Sequence, residues 1–308
     1  MGITITESAS MKNLLKKTWN CFSRAAYSTV MKHDGVEHAG YLAFLGLLAL
    51  FPFLVFLVSV VGVLGQGQSG AEFINSLLKT MPADITAAIR PRILEIISGP
   101  PQGLLTVSIL GAIWTASSAV EGIRTVLNRA YHVKTPPAYP LRRLLSIAQL
   151  MIFTSIMILG MLLVVTMPLM LKNLERFVGV RFISAIDKGF GNTLFYMIIF
   201  MLFVAVSFIY YLLPNIKQRL ISVIPGAGLV VILWIGSAYL FTLYLSNFNQ
   251  VNLIYGSLGG VIAALVFFYI CNIIFIFGAE LNYQIVELLG LRVVEREIVN
   301  SPQKPTET

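Results

Sequence analysis

The sequence predicts an all-α integral membrane protein of six transmembrane helices with additional amphipathic interfacial helices. Three observations predict it. After Arg219 no Lys, Arg, Asp or Glu occurs before Glu280, a run of 60 residues without formal charge. Four shorter charge-free windows precede that run, at 38–71, 96–120, 144–171 and 189–216. Charged residues make up only 12% of the chain against 57% hydrophobic, where soluble proteins carry about 25% charge. A bilayer core about 30 Å thick excludes charge and is crossed by about 20 helical residues, so each window accommodates a span.

Residues 11–32 precede the first window. Leu15, Trp19, Phe22 and Ala26 recur at helical spacing, with Lys16, Lys17, Asn20 and Arg24 opposite them. This is a cationic amphipathic helix, and two placements suit it: flat in the headgroup plane, or packed on the cytoplasmic ends of the spans. Segment 1–37 is thus predicted as a cytoplasmic N-terminal segment, 38–283 as a six-span membrane domain and 284–308 as a cytoplasmic tail, disordered at its end.

The first four spans fall near Tyr41 to Leu64, Gly103 to Val120, Leu144 to Leu171 and Thr193 to Leu213. The 60-residue run is too long for one helix. The turn-forming stretch SNFNQVNLIYG at 246–256 divides it into Ile221 to Leu245 and Ser257 to Ala279. Lys and Arg then number fifteen on the side of the termini and seven on the other, which predicts that both termini are cytoplasmic. The basic, polar start lacks the pattern of a cleavable signal peptide. In the first outer connection, Phe73 to Met81 and Ile85 to Ile97 each form an apolar stripe, predicting two short amphipathic helices; the connection after span three is expected to lie flat in the same way. Pro52 and Pro168, within spans one and three, are candidate kinks, since proline removes a backbone hydrogen bond.

The richest polar constellation lies where span two leaves the membrane. Ser117, Glu121, Arg124 and Asn128 follow at spacings of four, three and four, on one helix face. Ser108, Ala112 and Ala116 upstream form a small-residue stripe suited to close helix packing. The cluster reads either as a substrate-binding or gating group, or as a helix-end ion pair in water. Glu280 places an anion at the C-terminal end of a helix, against the helix dipole, and calls for a compensating cation, with Arg124 first and Arg129 as the alternative. Asn272 and Gln149 lie inside spans and must find hydrogen-bond partners within the protein, as interhelical contacts or as part of a substrate path.

Enzyme signatures are absent from the sequence. His33, His38 and His132 lack metal-ligand spacing, and Cys21 and Cys271 form neither a CxxC nor a zinc pattern. No phosphate-binding GxxxxGK, GxSxG or HExxH occurs. No metal, cofactor or catalytic residue is therefore predicted. The net charge of +8 suits anionic headgroups rather than nucleic acid.

The segments HAGYLAFLGLLALFPFLVFLVSVVG (38–62), IWTASSAVEGIRTVLNRAYHV (113–133), YYLLPN (210–215) and YGSLGGVIAALVFFYICNIIFIFGAELN (255–282) resemble the YihY/BrkB family of bacterial inner-membrane proteins, long labelled ribonuclease BN. The likeness covers roughly residues 20–290. It implies six spans with cytoplasmic termini, and relatives connected with virulence or envelope lipid export. The expected function is export or flipping of an amphipathic or lipid-like envelope substrate without an ATPase of its own. The expected partners are membrane lipids and envelope proteins. A non-transporting scaffold of an envelope complex is the second reading and a membrane-bound tRNA-processing ribonuclease the third. Oligomeric state is not legible.

Overall fold

The computed structural model describes residues 20–32, 34–64, 90–91, 102–134, 138–178, 190–247, 258–290 and 294–296. Six long helices occupy them: α1 (Gly35–Leu64), α2 (Gln102–Ala130), α3 (Tyr139–Val178), α4 (Phe190–Leu212), α5 (Leu220–Asn247) and α6 (Leu258–Leu288). Helices α1 to α4 each fall on one of the four shorter charge-free windows and α5 and α6 share the long one, with α2 and α6 running about nine residues further than the apolar signal. The extensions are polar, as expected of helix ends that leave an apolar medium. Among the described residues three stretches are long and apolar enough to cross a membrane, Tyr139–Gly160, Leu220–Ser246 and Gly259–Leu288, while Gly35–Leu50 and Ile198–Leu212 are shorter apolar helices. The two outer amphipathic helices at 73–97, apart from residues 90–91, the flat connection at 179–189, the centre of the turn at 248–257 and the end of the tail lie outside the described residues. So does the 11–19 half of the N-terminal amphipathic helix.

The helix surfaces explain the composition. Tyr196 and Phe200 on α4 and Ile232, Tyr239 and Leu240 on α5 are each about two-thirds exposed. Large apolar side chains bared to this extent suit lipid rather than water.

The chain forms two compact units, one of 1–47, 121–142 and 202–308, the other of 48–120 and 143–201. In the first, Ala39 and Leu42 of α1, Val126 of α2 and Ile276 of α6 make a buried core with Ile123, Tyr269 and Ile273 against it. Gly122 fits there because a Cβ would strike Leu45. Helices α5 and α6 approach closely through Gly226 and Gly278: a Cβ on Gly278 would meet Val230 and the Tyr210 hydroxyl. The Tyr210 hydroxyl donates to Phe275 O, and Trp234 Nε1 donates to Cys271 O at 2.9 Å.

The N-terminal helix, 20–27, packs in this unit through Cys21 and Ala25, both buried, with Phe22 edge-on to Phe277 at 5.0 Å between ring centroids. Its buried face is thus centred one residue away from the stripe of Phe22 and Ala26. It continues as a π-helical turn, Ser28–Lys32, before α1 starts after Asp34 at φ 49°. Two strands, unforeseen in an all-α reading, pair antiparallel: β1 (Ile216–Lys217) with β2 (Val294–Glu295), in register Ile216 to Glu295 and Lys217 to Val294. The first part of the tail is therefore held to the connection after α4.

In the second unit Ala112 and Ala116 are buried, as the small-residue stripe predicts. Helix α1 runs on through Pro52 and α3 through Pro168.

Candidate functional site

Polar side chains gather in the first unit where α2 and α6 end and α5 begins. Two groups are distinguished by depth.

The deeper one is built on a proline. Pro225 interrupts the first turns of α5, where a missing N–H and a displaced turn leave backbone groups to be satisfied from elsewhere. Asn282 of α6 supplies them: its Oδ1 accepts from Gly226 N at 2.7 Å, and its Nδ2 donates to Val223 O at 3.3 Å and to Tyr131 Oη at 3.4 Å. Only glycine fits at 226, because a Cβ would overlap Gly278 O and the Asn282 amide. Tyr131 is buried, which raises its hydroxyl well above the ordinary tyrosine range; the Asn282 bond works against that and the nearby Glu280 adds to it.

Glu280 is fully buried. It lines a narrow crevice with Arg129, Ala130 and Val126 of α2, Gly35 and His38 of α1, and Ile276. At the mouth Arg129 pairs with Asp34, both about half-exposed. Arg129 Nη1 stands 3.5 Å from His38 Nε2, and His38 Nδ1 is 2.8 Å from Asp34 O. Those partners require the Nδ1–H tautomer, with Nε2 accepting from the guanidinium. Arg129, the alternative cation, thus lines the crevice with Glu280, together with the His38 imidazole, and Arg124, expected first, pairs with Glu121.

The shallower group is centred on Glu121. Its two carboxylate oxygens meet Arg124 Nε at 3.5 Å and Arg142 Nε at 3.4 Å. Arg124 is 3% exposed, so the pair is not the water-bathed helix-end pair that the spacing alone allows. Burial pulls the Arg124 guanidinium below its usual value, Glu121 opposes this, and Arg142 and Arg296 reinforce it. Asn128 is also buried, its Oδ1 accepting from Asn215 N at 2.8 Å. Around it Arg296 Nε donates to Ile216 O at 2.7 Å and Arg296 N to Asn215 O at 3.0 Å. Asn128 and Arg296 thereby fasten α2 and the strand pair to the end of α4.

The other expected site residues stand apart. Ser117 is buried in the second unit and donates to Trp114 O at 2.9 Å, within its own helix. Gln149 is buried in that unit too. Asn272 is half-buried and donates to Phe268 O at 2.8 Å, one turn back. In the second unit Arg143 Nη1 donates to Ser118 Oγ at 3.1 Å, and its guanidinium lies 4.0 Å over the Trp114 ring.

Asn282, Tyr131 and Arg142 escaped the sequence reading, and His38 was weighed there only as a metal ligand. Asn282 had a usable signal: Pro225 in an apolar helix implies a polar side chain on a neighbour. His38 had none, because its contact with Arg129 spans 91 positions.

A sequence model of the family described as virulence factor BrkB matches residues 26–295. The chain is 34% identical over 189 residues to YfkH of Bacillus subtilis (strain 168), described as ribonuclease-like; the match takes in 58% of this chain and 65% of that protein. It is 31% identical over 99 residues to UPF0761 membrane proteins of Vibrio vulnificus strains YJ016 and CMCP6, covering 32% of this chain and 32% of each of theirs. The matched regions thus span less than two-thirds of these relatives. No solved structure matches.

Proposed function

The chain belongs to the BrkB family, and we propose that it is a bacterial inner-membrane exporter of an amphipathic or lipid-like envelope substrate, with six spans and cytoplasmic termini. The observation that carries this is Glu280, fully buried in an apolar helix beside a crevice lined by Arg129 and His38. Ionisable groups withdrawn from water in membrane helices are expensive to keep and mark paths for substrates or ions. The Glu121 pairs with Arg124 and Arg142 lie in the same unit. With no ATP-binding motif in the sequence, a gradient or a partner drives the movement. The protein is read as a transporter and not as an enzyme.

Purified protein in vesicles tests this. Lipid or solute should cross faster than in empty vesicles, and more slowly with Glu280→Gln; equal rates with and without protein would sink the proposal.

A scaffold is the second reading, favoured by the hydrogen bonds of Asn128, Asn282 and Arg296, which hold their own unit together. It predicts that combined neutralisation of Glu121, Arg124 and Glu280 leaves partner capture intact in inserted protein. A ribonuclease, suggested by the description of the Bacillus relative, ranks third. Among the described residues no three His, Cys, Asp or Glu side chains stand close enough to share a metal, and metal-dependent RNA cleavage abolished by one substitution would reverse that ranking.

A further inference from the structure

A second concavity in the first unit, about 740 Å³, is separate from the Glu280 crevice. The N-terminal helix contributes Ser23, Arg24 and Tyr27, the turn after α2 contributes His132, and the end of α6 contributes Tyr283 and Glu287. Arg24 and Glu287, opposite in charge and both exposed, line one groove, yet among the described residues neither enters an ion pair. A ligand with a negative and a positive group would satisfy both.

The walls specify it further. Arg24 presents a guanidinium, a donor suited to a phosphate, while the neighbouring Ser23 hydroxyl donates to Asn20 O at 3.2 Å. Glu287 lies one helical turn beyond Tyr283, and Tyr27 is 60% exposed; a carboxylate beside aromatic rings is the chemistry that holds an ammonium group. His132 is fixed at φ 57° with its ring 4.1 Å from that of Tyr283. Its amide donates to Arg129 O at 3.0 Å and that of Val133 to Asn128 O at 2.8 Å, a cap that ends α2 and sets this wall rigidly. Leu288 and Leu289 follow Glu287 directly and are exposed, offering an apolar rim on which acyl chains could rest.

We propose that this groove binds the zwitterionic phosphate–amine headgroup of a membrane phospholipid. Glu287 also discriminates, repelling headgroups that carry phosphate without an amine. The proposal takes the lipid-like substrate of the proposed function as its ligand and rests on that reading only for what becomes of the lipid once bound.

Equilibrium binding tests the site by itself. Purified full-length protein is equilibrated with mixed micelles holding equal phosphatidylethanolamine and phosphatidylglycerol, and the retained lipid is measured by native mass spectrometry. Phosphatidylethanolamine should be retained about tenfold over phosphatidylglycerol, as expected for one charge-assisted contact. Arg24→Gln should lower retention of both lipids, and Glu287→Gln should abolish the preference. Both side chains are exposed, and an unchanged melting temperature shows that the variants fold. Equal retention of the two lipids, or indifference to both substitutions, would overturn the proposal. Glycerophosphoethanolamine, the headgroup without acyl chains, should compete only weakly; competition as strong as the lipid's would overturn the membrane as the ligand's source. Selective binding without flux in vesicles would leave the groove standing and remove the transport reading.

Discussion

The side-chain oxygen of Asn282 accepts the amide hydrogen of Gly226, one residue after Pro225, from a helix 56 positions away in sequence. The proline disrupts α5 and the asparagine repairs it. Asn282→Ala should leave buried backbone groups without partners and lower stability by about 2–3 kcal/mol, read as a drop in thermal midpoint in detergent. Asn282→Asp keeps the acceptor but loses the donors to Val223 and Tyr131, so it too should destabilise. A midpoint unchanged in both variants would show that the contact contributes nothing.

Gly278 sets the separation of α5 and α6. A Cβ there would lie 2.6 Å from the Tyr210 hydroxyl and 3.0 Å from Gly226 O, besides overlapping Val230. Gly278→Ala should therefore cost about 1–3 kcal/mol through overpacking, whereas Gly236→Ala, with nothing within 4 Å of the added atom, should be neutral or slightly stabilising. The pair of melting curves distinguishes close packing from a general intolerance of bulk.

Glu121 joins two arginines, one of them buried, and its loss takes a carboxylate away from both. Glu121→Gln should destabilise by about 3 kcal/mol, the usual scale for removing one member of a buried ion pair. Arg142→Gln should cost less than about 1 kcal/mol, since its guanidinium is 24% exposed. Glu121→Leu with Arg124→Met should be milder than the sum of the single changes. Strict additivity would mean that the two side chains act independently.

The arrangement of the chain across the membrane can be read by labelling. With Cys21 and Cys271 replaced by serine, a cysteine at Gln250 should react with a membrane-impermeant maleimide in intact cells. Cysteines at Thr6 and Thr306 should react only after lysis. The opposite pattern would invert the proposed orientation, and labelling at all three would break the six-span count.

Helices α1 to α4 were legible as intervals without charge, because helix and bilayer impose one constraint on consecutive residues, and α5 and α6 as one such interval divided by turn-forming residues. The Glu121 and Arg124 pair was legible for a similar reason: both sit on one helix, three residues apart. What hid from view depends on distant residues. Arg142 adds itself to Glu121 from another helix, and the β1 and β2 pair joins two-residue segments that carry no periodicity at all. Burial was the other hidden quantity: spacing placed Arg124 beside Glu121, but only packing withdraws it from water. Arg129 and His38 line the Glu280 crevice through the meeting of α1, α2 and α6, which no single stretch encodes.

Helix α3, with 40 residues, is about 60 Å long at 1.5 Å per residue. Transmembrane helices lean by at most about 40° and the hydrocarbon layer is about 30 Å deep. At that limiting lean a straight rod of this length still rises about 46 Å, so some fourteen residues of α3 stand clear of the oily layer at any permitted angle. The sequence places Arg142 and Arg143 near one end of the helix and Lys172, Glu175 and Arg176 near the other.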